Sequence, residues 1–149
     1  MSIQDESLVG CCGMFCGDCI VRTGNIAEAA NNLLQKVKSN EFRTLVKGLP
    51  KVLSAFSKLS LYDQFCDFLS VIPHLSCEKC CKEGGGIRNC AIRNCCQEKA
   101  IDGCWICGEF KDCEKIAWLC QIHPDAPMKN LTKIKDFGME EYFKGEKYF

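Results

Sequence analysis

The chain has 149 residues, 47% of them apolar and 26% charged, which suits one soluble domain with an ordinary core. Nineteen Lys plus Arg offset nineteen Asp plus Glu, so no net charge draws the chain toward nucleic acid or an anionic membrane surface. No apolar run approaches the roughly eighteen residues of a membrane-spanning helix.

The opening residues, MSIQDESLVG, carry Asp5 and Glu6 and lack the basic and apolar regions of a signal peptide. The expectation is a cytoplasmic protein whose thiols stay reduced. Fifteen cysteines, an odd number, leave at least one unpaired in any disulfide scheme, so bound metal is favoured over disulfides. Four of them stand in CCGMFCGDC, from Cys11 to Cys19, and nine between Cys77 and Cys113.

Between the clusters the spacing is helical. Asn25, with Glu28 three residues on, resembles a capping box. Ile26, Ala29, Ala30, Leu33, Leu34 and Val37 then recur on one face. Phe42, Leu45, Val46 and Leu49 continue the pattern after a break near Ser39-Asn40. Gly48-Leu49-Pro50 reads as an interruption, with proline in the first turn of a further helix that runs to Pro73. Cys66 falls on that helix's apolar face. Gly84-Gly85-Gly86 has no Lys-Ser/Thr after it and reads as a flexible link rather than a phosphate loop. A short helix is predicted from about Ala91 to Ala100. Another, from about Cys113 to Gln121, would be capped by Asp112. The last helix opens after His123-Pro124-Asp125, carries Leu131, Ile134 and Tyr142 on its stripe, and is interrupted at Gly138. Lys144 to Lys147 is expected to fray. No stretch alternates as a strand does. The fold class expected is mainly α: one small helical domain over residues 1–149, with zinc-knuckle-like cysteine turns and little or no β-sheet.

Two cysteines separated by two residues can grip one ion from a single tight turn. The chain has three such pairs, Cys16/Cys19, Cys77/Cys80 and Cys104/Cys107, with further thiols at Cys12, Cys90, Cys95, Cys96 and Cys113. These suffice for two four-cysteine zinc sites and allow a third, the quartets staying open. One arrangement joins Cys12, Cys16 and Cys19 to a cysteine of the later cluster. Cys66 and Cys120 lie among apolar neighbours and read as core. In the doublets Cys11-Cys12, Cys80-Cys81 and Cys95-Cys96, one member is expected to be a bystander, because neighbours on a helix point about 100° apart. An iron–sulfur cluster, also held by cysteine thiolates, is the alternative occupant, shielded by Trp105 and Phe110. A thiol–disulfide role for Cys104-Trp-Ile-Cys107 lacks its usual βαβ setting. His74 and His123 read as surface or capping residues. Lys79, Lys82, Arg88, Arg93 and Lys99 would offset the negative charge of metal thiolates.

C-G-M-F-C-G-D-C at Cys12–Cys19, C-E-K-C at Cys77–Cys80, C-A-I-R-N-C at Cys90–Cys95 and C-W-I-C-G-E-F-K-D-C-E-K-I at Cys104–Ile116 follow one another in an order that resembles domain of unknown function 3795. The resemblance spans about Cys11 to Leu119. It implies zinc, and its ligands would be Cys12, Cys16, Cys19, Cys77, Cys80, Cys90, Cys95, Cys104, Cys107 and Cys113. Cys11, Cys66, Cys81, Cys96 and Cys120 then stand as extras, with Cys96 able to replace Cys95. Cys11-Cys12-Gly13 is also similar to the Cys-Cys-Gly motif of heterodisulfide reductase subunits, which hold an iron–sulfur cluster. There the doublet stands apart from a later C-x-x-C, whereas here Cys16 and Cys19 follow at once. No catalytic set is marked, so the expectation is a zinc-stabilised module that binds another protein rather than an enzyme.

Overall fold

The computed structural model describes residues 6–148, so Asp5 lies outside them. Among these residues it contains seven α-helices and a single isolated bridge, Val9 to Phe15. The fold is mainly α, as the periodicity implied. The chain divides into two units. One is the segment Thr23–Ser76; the other is formed by both ends of the chain, up to Arg22 and from Cys77 onward.

In the middle unit, α2 (Ile26–Val37), α3 (Asn40–Val52) and α4 (Tyr62–Val71) follow α1 (Ile20–Thr23) at the boundary. Ala30 and Val37 of α2, Val46 of α3, and Tyr62, Cys66 and Leu69 of α4 form a core, with Leu34, Leu59 and Ile72 against it. Tyr62, Cys66 and Leu69 stand at i, i+4 and i+7, which places them on one helical face. The buried Tyr62 hydroxyl donates to the Val37 carbonyl at 2.8 Å, satisfying an oxygen at the end of α2 that has no partner within the helix.

Three local expectations change. Asn25 adopts a left-handed conformation (φ 48) and its side chain makes no cap, since asparagine tolerates that region and the turn uses it. Ser39 does cap α3, accepting from Phe42 N at 3.2 Å. Pro50 lies inside α3, in its last turn, rather than at the start of a new helix, and has no amide hydrogen to give the carbonyl four residues back. The residues that follow, Ser54–Leu61, wind as a 3-10 helix before α4 begins, and Ile72–Leu75 closes it as another.

In the other unit, α5 (Ala91–Glu98), α6 (Glu114–Cys120) and α7 (Ala126–Lys144) enclose the thiols. Ile92 and Cys96 of α5 pack with Cys11, Cys104, Phe110, Ile116, Leu119 and Leu131. A second cluster joins Val9, Phe15, Ile134 and Tyr142. Cys113, not Asp112, is the N-cap of α6, because Asp112 is taken up in a 3-10 turn, Phe110–Asp112. Gly138 (φ 82, ψ 171) kinks α7 at the predicted interruption. The segment after α7 is tied rather than frayed: Asn130, fully buried, exchanges hydrogen bonds with the Tyr148 backbone at 2.9 and 3.1 Å, and Lys133 donates to the Glu146 carbonyl at 2.8 Å.

Candidate metal centre

The N-terminal cysteine loop is held from three sides. Its turn closes through Gly10 N to the Met14 carbonyl (2.8 Å) and Gly13 N to the Gly10 carbonyl (2.9 Å). The buried Tyr142 hydroxyl of α7 donates to the Gly13 carbonyl at 3.1 Å. Cys104 N donates to the Cys11 carbonyl at 2.8 Å, joining the loop to the third C-x-x-C turn. That turn and the first are built alike, the last cysteine's amide donating to the first cysteine's carbonyl: Cys107 to Cys104 at 3.0 Å, Cys19 to Cys16 at 3.4 Å.

The middle cysteine segment is organised by Arg93. This side chain is buried, and its two terminal nitrogens donate to the carbonyls of Cys81 (2.8 Å), Gly85 (3.0 Å), Ile87 (3.0 Å) and Arg88 (2.6 Å). The glycine run is therefore no flexible link. It wraps a guanidinium, and at Gly85 a Cβ would lie 1.9 Å from the Lys79 carbonyl oxygen, so only glycine lets the loop close.

These supports bring thiols together across long stretches of chain. Cys16 and Cys80, from different C-x-x-C pairs, have sulfurs 3.4 Å apart, and Cys16 also interacts with Cys81. Cys96 and Cys104 stand 3.7 Å apart, and Cys96 also hydrogen-bonds Cys11. Cys12 lies within electrostatic reach of Cys90 and Cys16. All fifteen cysteines are free thiols. Cys95, Cys96, Cys104, Cys107 and Cys113 line one cavity of about 120 Å³. Lys99 stands at its rim, Nζ 3.7 Å from the Cys107 sulfur and 3.7 Å from a Glu109 oxygen. Cys19 and Cys77 are half-buried, and the Cys77 thiol donates to the Lys79 carbonyl at 3.2 Å. Among the described residues, however, no three Cys, His, Asp or Glu side chains converge tightly enough to hold one ion.

Cys11, Cys81 and Cys96, passed over as extras, all touch other cysteines. On α5 the 100° step gives the doublet two directions. Cys96 meets Cys11 and Cys104, while Cys95 lies in the field of Lys99. Cys66 sits in the core of the middle unit, and Cys120 packs against the core of the other.

Without a cation these thiols hold their protons. Burial pushes Cys12 up to about 12 and Cys96 up to about 11. Burial likewise raises Cys11 and Cys104. Cys80 is raised first by the hydrogen bond with Cys16 and then by burial. At Cys16 the bond with Cys80 lowers the thiol, but Cys81 and burial outweigh it and the net shift is upward. Lys99 is raised, chiefly by Cys107 and then by Cys95. Crowded, desolvated thiols of this kind become thiolates when a metal ion supplies the compensating charge.

Fold and site together define a cysteine-rich helical protein with thiols gathered in the unit built from its two ends. A family model described as a protein of unknown function (DUF3795) matches residues 8–118, and the chain belongs to that family. No curated protein and no solved structure matches it.

Proposed function

We propose that the chain is a zinc–thiolate protein whose middle unit serves as a binding module for another protein. The observation that carries the metal reading is the approach of Cys16 and Cys80, 3.4 Å apart although 64 residues separate them in sequence. Two thiolates on one tetrahedral zinc, each at about 2.3 Å, stand about 3.8 Å apart, and small side-chain rotations span the difference. Cys19 and Cys77, the C-x-x-C partners of these two cysteines, are the further donors proposed. Arg93, buried without a carboxylate among its bonded partners, sits beside Cys81 where an anionic thiolate centre would offset its charge.

The partner reading rests on the middle unit. Leu61, Phe65, Phe68, Val71 and Leu75 follow one edge of α4 and its flanking 3-10 turns, all exposed, on a face other than that of Tyr62, Cys66 and Leu69. Another protein is the partner proposed for that stripe.

Elemental analysis of protein purified without oxygen tests the metal reading. Zinc is expected in the wild-type chain and is expected to fall by one ion per chain when Cys16 and Cys80 are both replaced by Ser. A chain that carries no zinc, or the same zinc in that variant, overturns it.

A further inference from the structure

A single zinc closes its ligands to a point, and four sulfurs about 3.8 Å apart leave no space between them. The cavity beside α5 and α6 is built differently. Cys95, Cys104, Cys107 and Cys113 are spread around about 120 Å³, close to the ~150 Å³ that houses a benzene ring in an engineered cavity elsewhere. The buried side chains of Ile92, Phe110 and Ile116 also line the cavity, so it is dry on that side. Its remaining lining includes exposed Lys99, Glu109 and Lys115.

We infer that this cavity seats an iron–sulfur core held by Cys95, Cys104, Cys107 and Cys113, a group distinct from the zinc on Cys16 and Cys80. Three features fit an occupant of several atoms. Four cysteines bind such a core one per iron when it has four irons and two per iron when it has two, so the sulfurs surround a space rather than meet at a point. The core and its thiolates are anionic, and Lys99, whose ammonium lies 3.7 Å from the Cys107 sulfur, supplies opposing charge. The apolar lining excludes water from one face, a lever on the potential of such clusters. The inference does not rest on the zinc site, since the four donors are different.

The test uses the full chain, purified without oxygen and reconstituted with ferrous iron and inorganic sulfide. Iron, acid-labile sulfide, zinc and the visible spectrum are then measured. The wild type is expected to hold iron and sulfide in equal amounts and to be coloured. Replacing Cys107 and Cys113 by Ser should remove iron, sulfide and colour and leave the zinc content unchanged. Replacing Cys16 and Cys80 should lower zinc and keep the colour. Cys120→Ser, outside both quartets, should change neither. A wild type without sulfide, copper or zinc in place of iron, iron retained by the Cys107/Cys113 variant, or iron lost equally from Cys120→Ser overturns the inference. The zinc reading fails separately, on the Cys16/Cys80 variant alone.

Discussion

Arg93→Met is the most informative single change. It keeps an unbranched stem in a buried site and deletes the donors to four carbonyls, at 2.6 to 3.0 Å, that shape the loop carrying Cys80 and Cys81. A hydrogen bond from a charged group contributes a net of about 1.5–3 kcal/mol. Four bonds to one ion do not add, and removing the guanidinium also relieves the cost of burying a charge. The net loss worked from these terms is about 3 kcal/mol, a large share of a typical stability of about 5–15 kcal/mol. With a urea slope near 2 kcal/mol per molar, the unfolding midpoint should fall by roughly 1.5 M. Hydrogen exchange should localise the damage, because Gly85 N, bonded to the Cys80 carbonyl at 3.0 Å, loses protection while the amides of α2 to α4 keep theirs. A midpoint lowered by less than about 0.3 M, with Gly85 still protected, would refute the reasoning.

Three further outcomes follow from the same structure. Gly85→Ala places a methyl group on the Lys79 carbonyl and should cost more than about 2 kcal/mol in urea melts; a neutral result would mean the loop has another way to close. Tyr142→Phe strands the Gly13 carbonyl, now bonded at 3.1 Å in a fully buried site, and should cost about 1–3 kcal/mol by thermal melting, whereas an unchanged melt would remove Tyr142 as a support of the first cysteine loop. Chelation should melt much of Cys77–Cys113, because structural zinc contributes about 10–16 kcal/mol in finger peptides, and leave the helices of Thr23–Ser76, which have their own core. A far-UV spectrum unchanged by complete zinc removal would contradict that.

The helices were legible because their information is local. The spacing of Tyr62, Cys66 and Leu69 on α4, or of Leu131 and Ile134 on α7, states the buried face directly. The core roles of Cys66 and Cys120 followed from their apolar neighbours in the same way. The thiol pairings were less legible. Nothing near Cys16 indicates that its neighbour in space is Cys80, and nothing within Cys95-Cys96 states that one faces Cys11 and Cys104 while the other lies beside Lys99. Such pairings are set by where the chain returns. In the sequence Arg93 reads only as one of five cations offsetting thiolate charge, because its four backbone-carbonyl partners leave no trace there. Asn130 and Tyr142 were missed as anchors for the same reason: each binds a main-chain group 18 or 129 residues away. The glycine run looked flexible in isolation and became a fixed wrap only once its contents were visible.

X-ray absorption at the zinc edge, on the full chain loaded without oxygen, tests whether Cys16 and Cys80 bind zinc. A shell of four sulfurs at about 2.3 Å is expected, losing sulfur when Cys16 and Cys80 are replaced. A shell dominated by nitrogen or oxygen, or a spectrum indifferent to those two residues, would contradict it.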